Sequence, residues 1–218
     1  MGFLITIDGL DGSGKSTQSE LVYRRLVQQG KKVRLVSFPN YGTPACAPVE
    51  MYLNGAYGSD PNAVNCYAAS TFYAVDRYAS YNLGWKQDYL DGAIILATRY
   101  TTSNAIHQAA KLESERRGEF LDWLESYEYG LLGLPRPDLT VLLEVPVEVS
   151  LSMIEKRGEK TDIHENTNHL RQAYSAAMEV SRKWDWQVVH CSEEGRMRPK
   201  ESITDEILAV IASALPTE

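Results

Sequence analysis

The chain has 218 residues, 44% of them apolar and 23% charged, the balance of an ordinary folded protein and not of a disordered or fibrous one. At that length a single domain over residues 1–218 is expected, because one large α/β domain buries most of its surface whereas two would each be small. Lys and Arg number 22 against 29 Asp and Glu, a net charge of −7, which argues against long nucleic acid as a partner and requires any anionic ligand to be held by a local cluster of donors.

In chain order, apolar β-branched runs at residues 3–8, 33–38, 93–97, 139–145 and 187–190 alternate with segments of helical period at 16–29, 63–81, 103–116, 118–129, 147–156, 167–183 and 202–215. That alternation predicts a five-stranded parallel sheet flanked by helices. Gly30 stands where a helix end takes a left-handed residue, and Asp91-Gly92 turns the chain into the third strand. The polar stretch 157–168 separates two helices without proline and is expected to be a short lid. Cys46, Cys66 and Cys191 are widely spaced and form neither a disulfide framework nor a zinc motif. Together with the lack of an apolar run of about 20 residues, they point to a cytoplasmic protein with no membrane partner.

Directly after the first apolar run comes Gly9-Leu10-Asp11-Gly12-Ser13-Gly14-Lys15-Ser16, with Thr17 opening a helical pattern. This is the G-x-x-x-x-G-K-S loop in its required strand-loop-helix context. Gly9, Gly12 and Gly14 let backbone N–H groups turn inward around phosphate oxygens, and Ser13 and Thr17 add donors at the helix start. Lys15 is expected to neutralise the β and γ phosphates of ATP and the Ser16 hydroxyl to bind Mg²⁺. A second strand in such folds commonly ends in an aspartate that helps hold the metal; here 93–97 is followed by Thr98-Arg99-Tyr100, so that carboxylate is missing.

The guanine-reading N-K-x-D motif is absent, which favours a small-molecule kinase over a GTPase switch. Along 63–81, Val64, Ala68, Val75 and Ala79 fall within about one 60° sector, expected to face the core. Tyr73 lies opposite, with Arg77 one turn on, so a ring able to stack on a base and a guanidinium able to read its carbonyl project together.

Six segments carry a resemblance: ITIDGLDGSGKSTQ at 5–18, SFPNYGT at 37–43, STFYAVDRYAS at 70–80, TRYTTSNAIHQ at 98–108, GLPRPDLTVLLEVP at 133–146 and KRGEKTD at 156–162. In this order and spacing the chain resembles the thymidylate kinases, the dTMP kinases of the nucleoside monophosphate kinase group. The resemblance implies the P-loop NTPase fold and transfer of a phosphoryl group from Mg-ATP to dTMP. It places Asp11 by the sugar 3′-hydroxyl and near the metal, Phe38 in the acceptor site, Tyr73 on the thymine and Arg77 at the base carbonyl. It gives Arg99 the acceptor monophosphate, while Ser103, Asn104 and Gln108 line the base pocket. It also implies a homodimer built on the long helices. Position 12 is glycine, so the extra basic charge of the family falls to the lid, on Lys156, Arg157 and Lys160, with Arg157 acting on the transferring group beside Lys15.

Two positions depart from the pattern. Thr98 replaces the acid of an Asp-Arg-Tyr triplet, and His107 stands where an aromatic residue is common near the sugar. A kinase of another pyrimidine nucleotide or nucleoside, and a weakly active nucleotide-binding pseudo-kinase silenced by Thr98, therefore stand as alternatives. His164 and His169 are expected on the surfaces of the lid and the following helix.

Overall fold

Strands β1 (Phe3–Gly9), β3 (Ile94–Thr98) and β4 (Leu139–Glu144) are buried at nearly every position and mostly apolar, because both faces of the sheet are covered. In the computed structural model, which describes residues 1–58, 60–157 and 167–216, they form the centre of a five-stranded parallel sheet. Its order is β2-β3-β1-β4-β5, with β2 (Val33–Ser37) and β5 (Gln187–His190) as the partly exposed edges. Register is fixed by pairs such as Ile5 with Leu96 on one side and with Leu139 on the other. Asp138 staples the start of β1 to that of β4: its backbone N–H donates to the Leu4 carbonyl and its carboxylate accepts from the Leu4 N–H, 2.8 and 2.7 Å.

One face of the sheet is covered by α1 (Lys15–Gln28) and α9 (Lys200–Ala214), whose Val22, Leu26, Ile207 and Ile211 pack on Ile5, Ile7 and Val141. The other face carries α5 (Thr101–His107), α6 (Ser114–Glu125) and α8 (Thr167–Lys183), packed through Ile106, Leu121, Leu124 and Ala177. Phe38, Trp85, Ile95 and Tyr100 make a third apolar cluster, reached by the chain just after α3 (Cys66–Ser80) through Tyr81.

The predicted strands and most helices stand within a residue or two of their expected ends. Three expectations need correction. The segment 103–116 is not one helix: α5 ends at His107, a turn over Ala109–Lys111 follows, and the chain is extended at Leu112 and Glu113 before α6 starts. There Lys111 turns away to donate to the Tyr52 hydroxyl and the Val64 carbonyl, both at 2.8 Å.

The face of α3 assigned to the core is also the wrong one. Val75 is 46% exposed, and the buried side holds Cys66, Ala69, Ser70, Ala74, Asp76 and Arg77. Polar residues displace apolar ones there because Asp76 accepts from the Asn40 N–H at 2.8 Å and Arg77 joins a buried ion pair. Finally, His169 is buried, not superficial: its ring stacks on His107 across α5 and α8, with centroids 5.8 Å apart and planes 15° apart. His164 and Lys160 lie outside the described residues, as does the middle of the expected lid at 158–166. The helix Ala47–Leu53 (α2), the wide turn Tyr81–Trp85 and the short helix Lys86–Leu90 (α4) are further elements beyond the predicted ones, whereas α7 runs Val147–Arg157 as expected.

Candidate active site

The loop after β1 sits at the carboxyl end of the sheet, where open α/β folds place their ligands. Gly9 and Gly12 are required by close approach. A Cβ on Gly9 would stand 2.6 Å from the Leu143 carbonyl oxygen, and one on Gly12 would stand 2.5 Å from that of Ser150. Both also have positive φ, 151° and 81°. The Gly12 contact explains why this loop carries no arginine there: α7 packs its first turn directly against the position. Gly14, φ 86°, opens α1 without a side-chain cap, so the first-turn N–H groups of α1 are left to an anion. Ser16 and Thr17 are exposed beside it, while Ser13 is buried with no protein partner for its hydroxyl among the described residues.

Lys15 folds back over this loop and donates to the carbonyls of Gly9 and Leu10 at 2.9 and 2.7 Å, with the Asp11 carboxylate 3.7 Å away. Burial, reinforced by the neighbouring Arg99 charge, pulls its ammonium from 10.5 down to about 8. Anionic oxygens brought to the same group would oppose this shift.

On the acceptor side, a cleft opens next to the loop. Asp11, Phe38, Tyr73, Arg77, Arg99, Ser103, Asn104 and Gln108 all line it, so the structure brings together every acceptor-side residue expected from the sequence. Tyr41, Leu53, Tyr100 and His107 complete its walls with Pro39, which follows a cis peptide at Phe38. Tyr73 is half-buried and meets Tyr52 edge-on at 6.4 Å. The buried Gln108 amide has no protein partner for either polar atom among the described residues, an arrangement that favours a polar ligand.

Arg99 follows β3 in a left-handed conformation, φ 63°, a strained geometry for a side-chain-bearing residue. From there its guanidinium donates to the Asp11 carboxylate and lies 3.3 Å from His107 Nε2. Arg77 is fully buried, donating to Glu128 through Nε and Nη2 at 2.7 and 2.5 Å and to the Tyr100 carbonyl at 3.3 Å. Burial disfavours its charge, but the Glu128 carboxylate more than offsets this and raises its pKa. Asn104 stands one turn inside α5 and is not its cap.

Two groups in this region were not singled out from the sequence. Asp8, the last acid of β1, is fully buried: its carboxylate accepts from the Gly9 N–H at 2.9 Å and from the Thr102 and Ser103 hydroxyls at 2.7 Å each. It ties the phosphate loop to α5 on the strand neighbouring Thr98, which pairs with Ile7. The signal available was an aspartate ending an apolar strand. Glu128 is the other, and no local pattern marked it.

Comparison with known families matches residues 7–201 to the one described as Thymidylate kinase. The chain belongs to the thymidylate kinase family. A thymidylate kinase of Mycobacterium tuberculosis (strain H37Rv) is 32% identical over 173 residues, 78% of each chain. One from Geobacter sp. (strain M21) is 33% identical over 161 residues, 74% of this chain and 68% of its own. The solved structure of thymidylate kinase from Candida albicans covers 97% of this chain and 92% of its own, with a TM-score of 0.75 at 23% identity. That likeness shows the fold: a thymidylate kinase sheet with its phosphate loop, here ending β3 in a threonine.

Proposed function

We propose that this member of the thymidylate kinase family transfers the γ-phosphoryl group of ATP to dTMP, giving dTDP and ADP. One observation carries the reading: the phosphate loop and a cleft with an aromatic ring, an amide and two guanidinium groups open side by side, bridged by the Arg99–Asp11 ion pair. Phosphoryl transfer asks a protein for alignment and charge compensation. Lys15 exchanges the Gly9 and Leu10 carbonyls for ATP phosphate oxygens, and Arg99 orients the acceptor phosphate. No general base is needed, because the attacking oxygen is already anionic. Tyr73 stacks on the base, and Asn104 reads its edge. Lys156, Arg157 and Lys160, the last outside the described residues, supply further positive charge for the transferring group.

The donors near the loop suit Mg²⁺: an exposed Ser16 hydroxyl and the Asp11 carboxylate are hard oxygen ligands. Among the described residues no cluster of three or more His, Cys, Asp or Glu forms a metal cage, which fits a cation that arrives on the nucleotide phosphates. Held by Ser16 and Asp11, Mg²⁺ would supply positive charge to offset that of the nucleotide phosphates.

Val75, Tyr78 and Leu83 leave an apolar face on and after α3, Leu83 being 89% exposed, and a homodimer covering this face is part of the proposal. The buried thiols of Cys46, Cys66 and Cys191 suit a reducing cytoplasm. No helix among the described residues is long and apolar enough to cross a membrane. The test is an acceptor panel with Mg-ATP: dTMP gives the highest kcat/KM, and a better rate with another nucleotide or a nucleoside overturns the assignment. Sedimentation tests the dimer.

A further inference from the structure

Glu128 lies in the wide turn Ser126–Leu131 that ends α6, with its side chain wholly buried while Leu131 nearby is 80% exposed. Four donors converge on its carboxylate: Arg77 Nε at 2.7 Å, Arg77 Nη2 at 2.5 Å, Thr101 Oγ1 at 2.8 Å and, more distantly, Asn104 Nδ2 at 3.5 Å. Glu128 does not line the acceptor cleft, but Arg77 and Asn104 do. We infer that Glu128 sets the base preference of the acceptor site, acting as a positioning residue through Asn104 and Arg77. The inference rests on the proposed pyrimidine acceptor and adds the group that makes it selective.

An ionised carboxylate can only accept hydrogen bonds. The second neighbour of the Asn104 amide, the Ser70 carbonyl at 3.4 Å, can also only accept. Both therefore draw the Asn104 nitrogen, and its carbonyl oxygen is left to the cleft. The same carboxylate holds the Nε–Nη2 edge of the Arg77 guanidinium through two hydrogen bonds, and the Tyr100 carbonyl accepts from Nη1, so this group offers its remaining N–H bonds and cannot rotate away. The cleft then presents an acceptor beside a donor. Thymine matches with N3–H and O4. Cytosine opposes both, with a lone pair at N3 and an amino group at C4. A single acceptor-only residue thus fixes the sign of two contacts at once, and a site whose buried polar groups are left mismatched rejects the wrong partner strongly.

Replacing the carboxylate by an amide tests this directly. In Glu128→Gln the new NH₂ group needs an acceptor, and the Asn104 oxygen is one within its neighbourhood, so the Asn104 amide turns and shows its nitrogen to the base. The expected result is a higher KM for dTMP with a smaller change in kcat, and a dTMP-over-dCMP ratio of kcat/KM reduced about tenfold or more. The swapped variant Asn104→Asp/Glu128→Gln keeps one carboxylate and one amide beside Arg77 and again shows an acceptor to the base. Its ratio returns toward that of the parent. A ratio unchanged in Glu128→Gln, with both nucleotides slowed equally, overturns the inference and leaves Glu128 a packing residue. Should Glu128→Gln fail to fold, the Asn104 amide of the parent bound to dTMP decides by NMR: thymine N3–H donating to the Asn104 oxygen upholds the inference, and the Asn104 NH₂ turned to the base overturns it. Failure of the parent itself to phosphorylate dTMP would instead sink the acceptor assignment.

Discussion

The guanidinium of Arg99 donates to the carboxylate of Asp11, a residue 88 positions earlier in the chain, and so joins the end of β3 to the phosphate loop. Arg99 does this from a left-handed backbone, φ 63°, that costs a residue with a Cβ about 1–2 kcal/mol. The strain and the function can be separated. Arg99→Ala and Arg99→Gly both lose the ion pair, and both should lower dTMP turnover on the order of 100-fold. Arg99→Gly alone relieves the backbone and should be more stable than Arg99→Ala by about 1 kcal/mol. Urea denaturation of the two variants side by side reads the difference; equal stability would contradict the strain.

Lys15 titrates near 8 in the free protein against 10.5 when unfolded. Because the native state gives up this proton first, stability should rise as pH goes from about 8 to about 10.5, by at most about 3 kcal/mol. Lys111, also lowered to about 8 by burial, contributes a second rise, so Lys15→Met removes only part of the slope. Nucleotide binding favours the charged form. Affinity for a non-hydrolysable ATP analogue should therefore fall as pH passes 8, with proton uptake measurable by calorimetry in two buffers; pH-independent affinity from 7 to 9.5 would count against the carbonyl-to-phosphate exchange.

His169 behaves in the opposite pH range. Burial, with the Lys111 charge helping, lowers it from 6.5 to about 4. The unfolded chain takes up this proton earlier than the folded one, so its contribution is complete above 6.5 and is lost as pH falls toward 4, about 2 kcal/mol of it between pH 7 and 5. His169→Phe keeps the stack on His107 without the titration. The parent should lose stability relative to that variant over this interval, as read by melting temperature against pH; parallel curves would contradict it.

At Gly12 an added Cβ would lie 2.5 Å from the Ser150 carbonyl oxygen in a backbone with φ 81°. Gly12→Ala should cost about 1–3 kcal/mol and raise the KM for ATP more than that for dTMP. Thermal denaturation and initial rates check both parts, and a variant as stable as the parent would mean that α7 yields readily.

Periodicity and turn chemistry were enough to read the five strands, because the central parallel strands are mostly apolar and β-branched and the glycines at 9, 12, 14, 30 and 92 sit at positive φ. The cleft residues were legible because they cluster in short motifs. What escaped was long-range pairing. The hydrophobic rule put Val75 inside α3, but Arg77 and Asp76 take the buried side since Glu128, 51 residues after Arg77, and the Asn40 N–H satisfy them. No spacing in the sequence announces such partners. Asp8 was hidden in the same way, since its role depends on Thr102 and Ser103 more than 90 residues later.

The most direct measurement is ADP release from Mg-ATP with and without dTMP, for the parent and for Thr98→Asp. Thr98 is 5% exposed at the end of β3, and the carboxylates of Asp8 and Asp11 already act on Lys15. The parent should therefore turn over dTMP readily without a carboxylate at position 98. ADP release that dTMP fails to accelerate in the parent, but does accelerate in Thr98→Asp, would contradict the account and make the missing acid decisive.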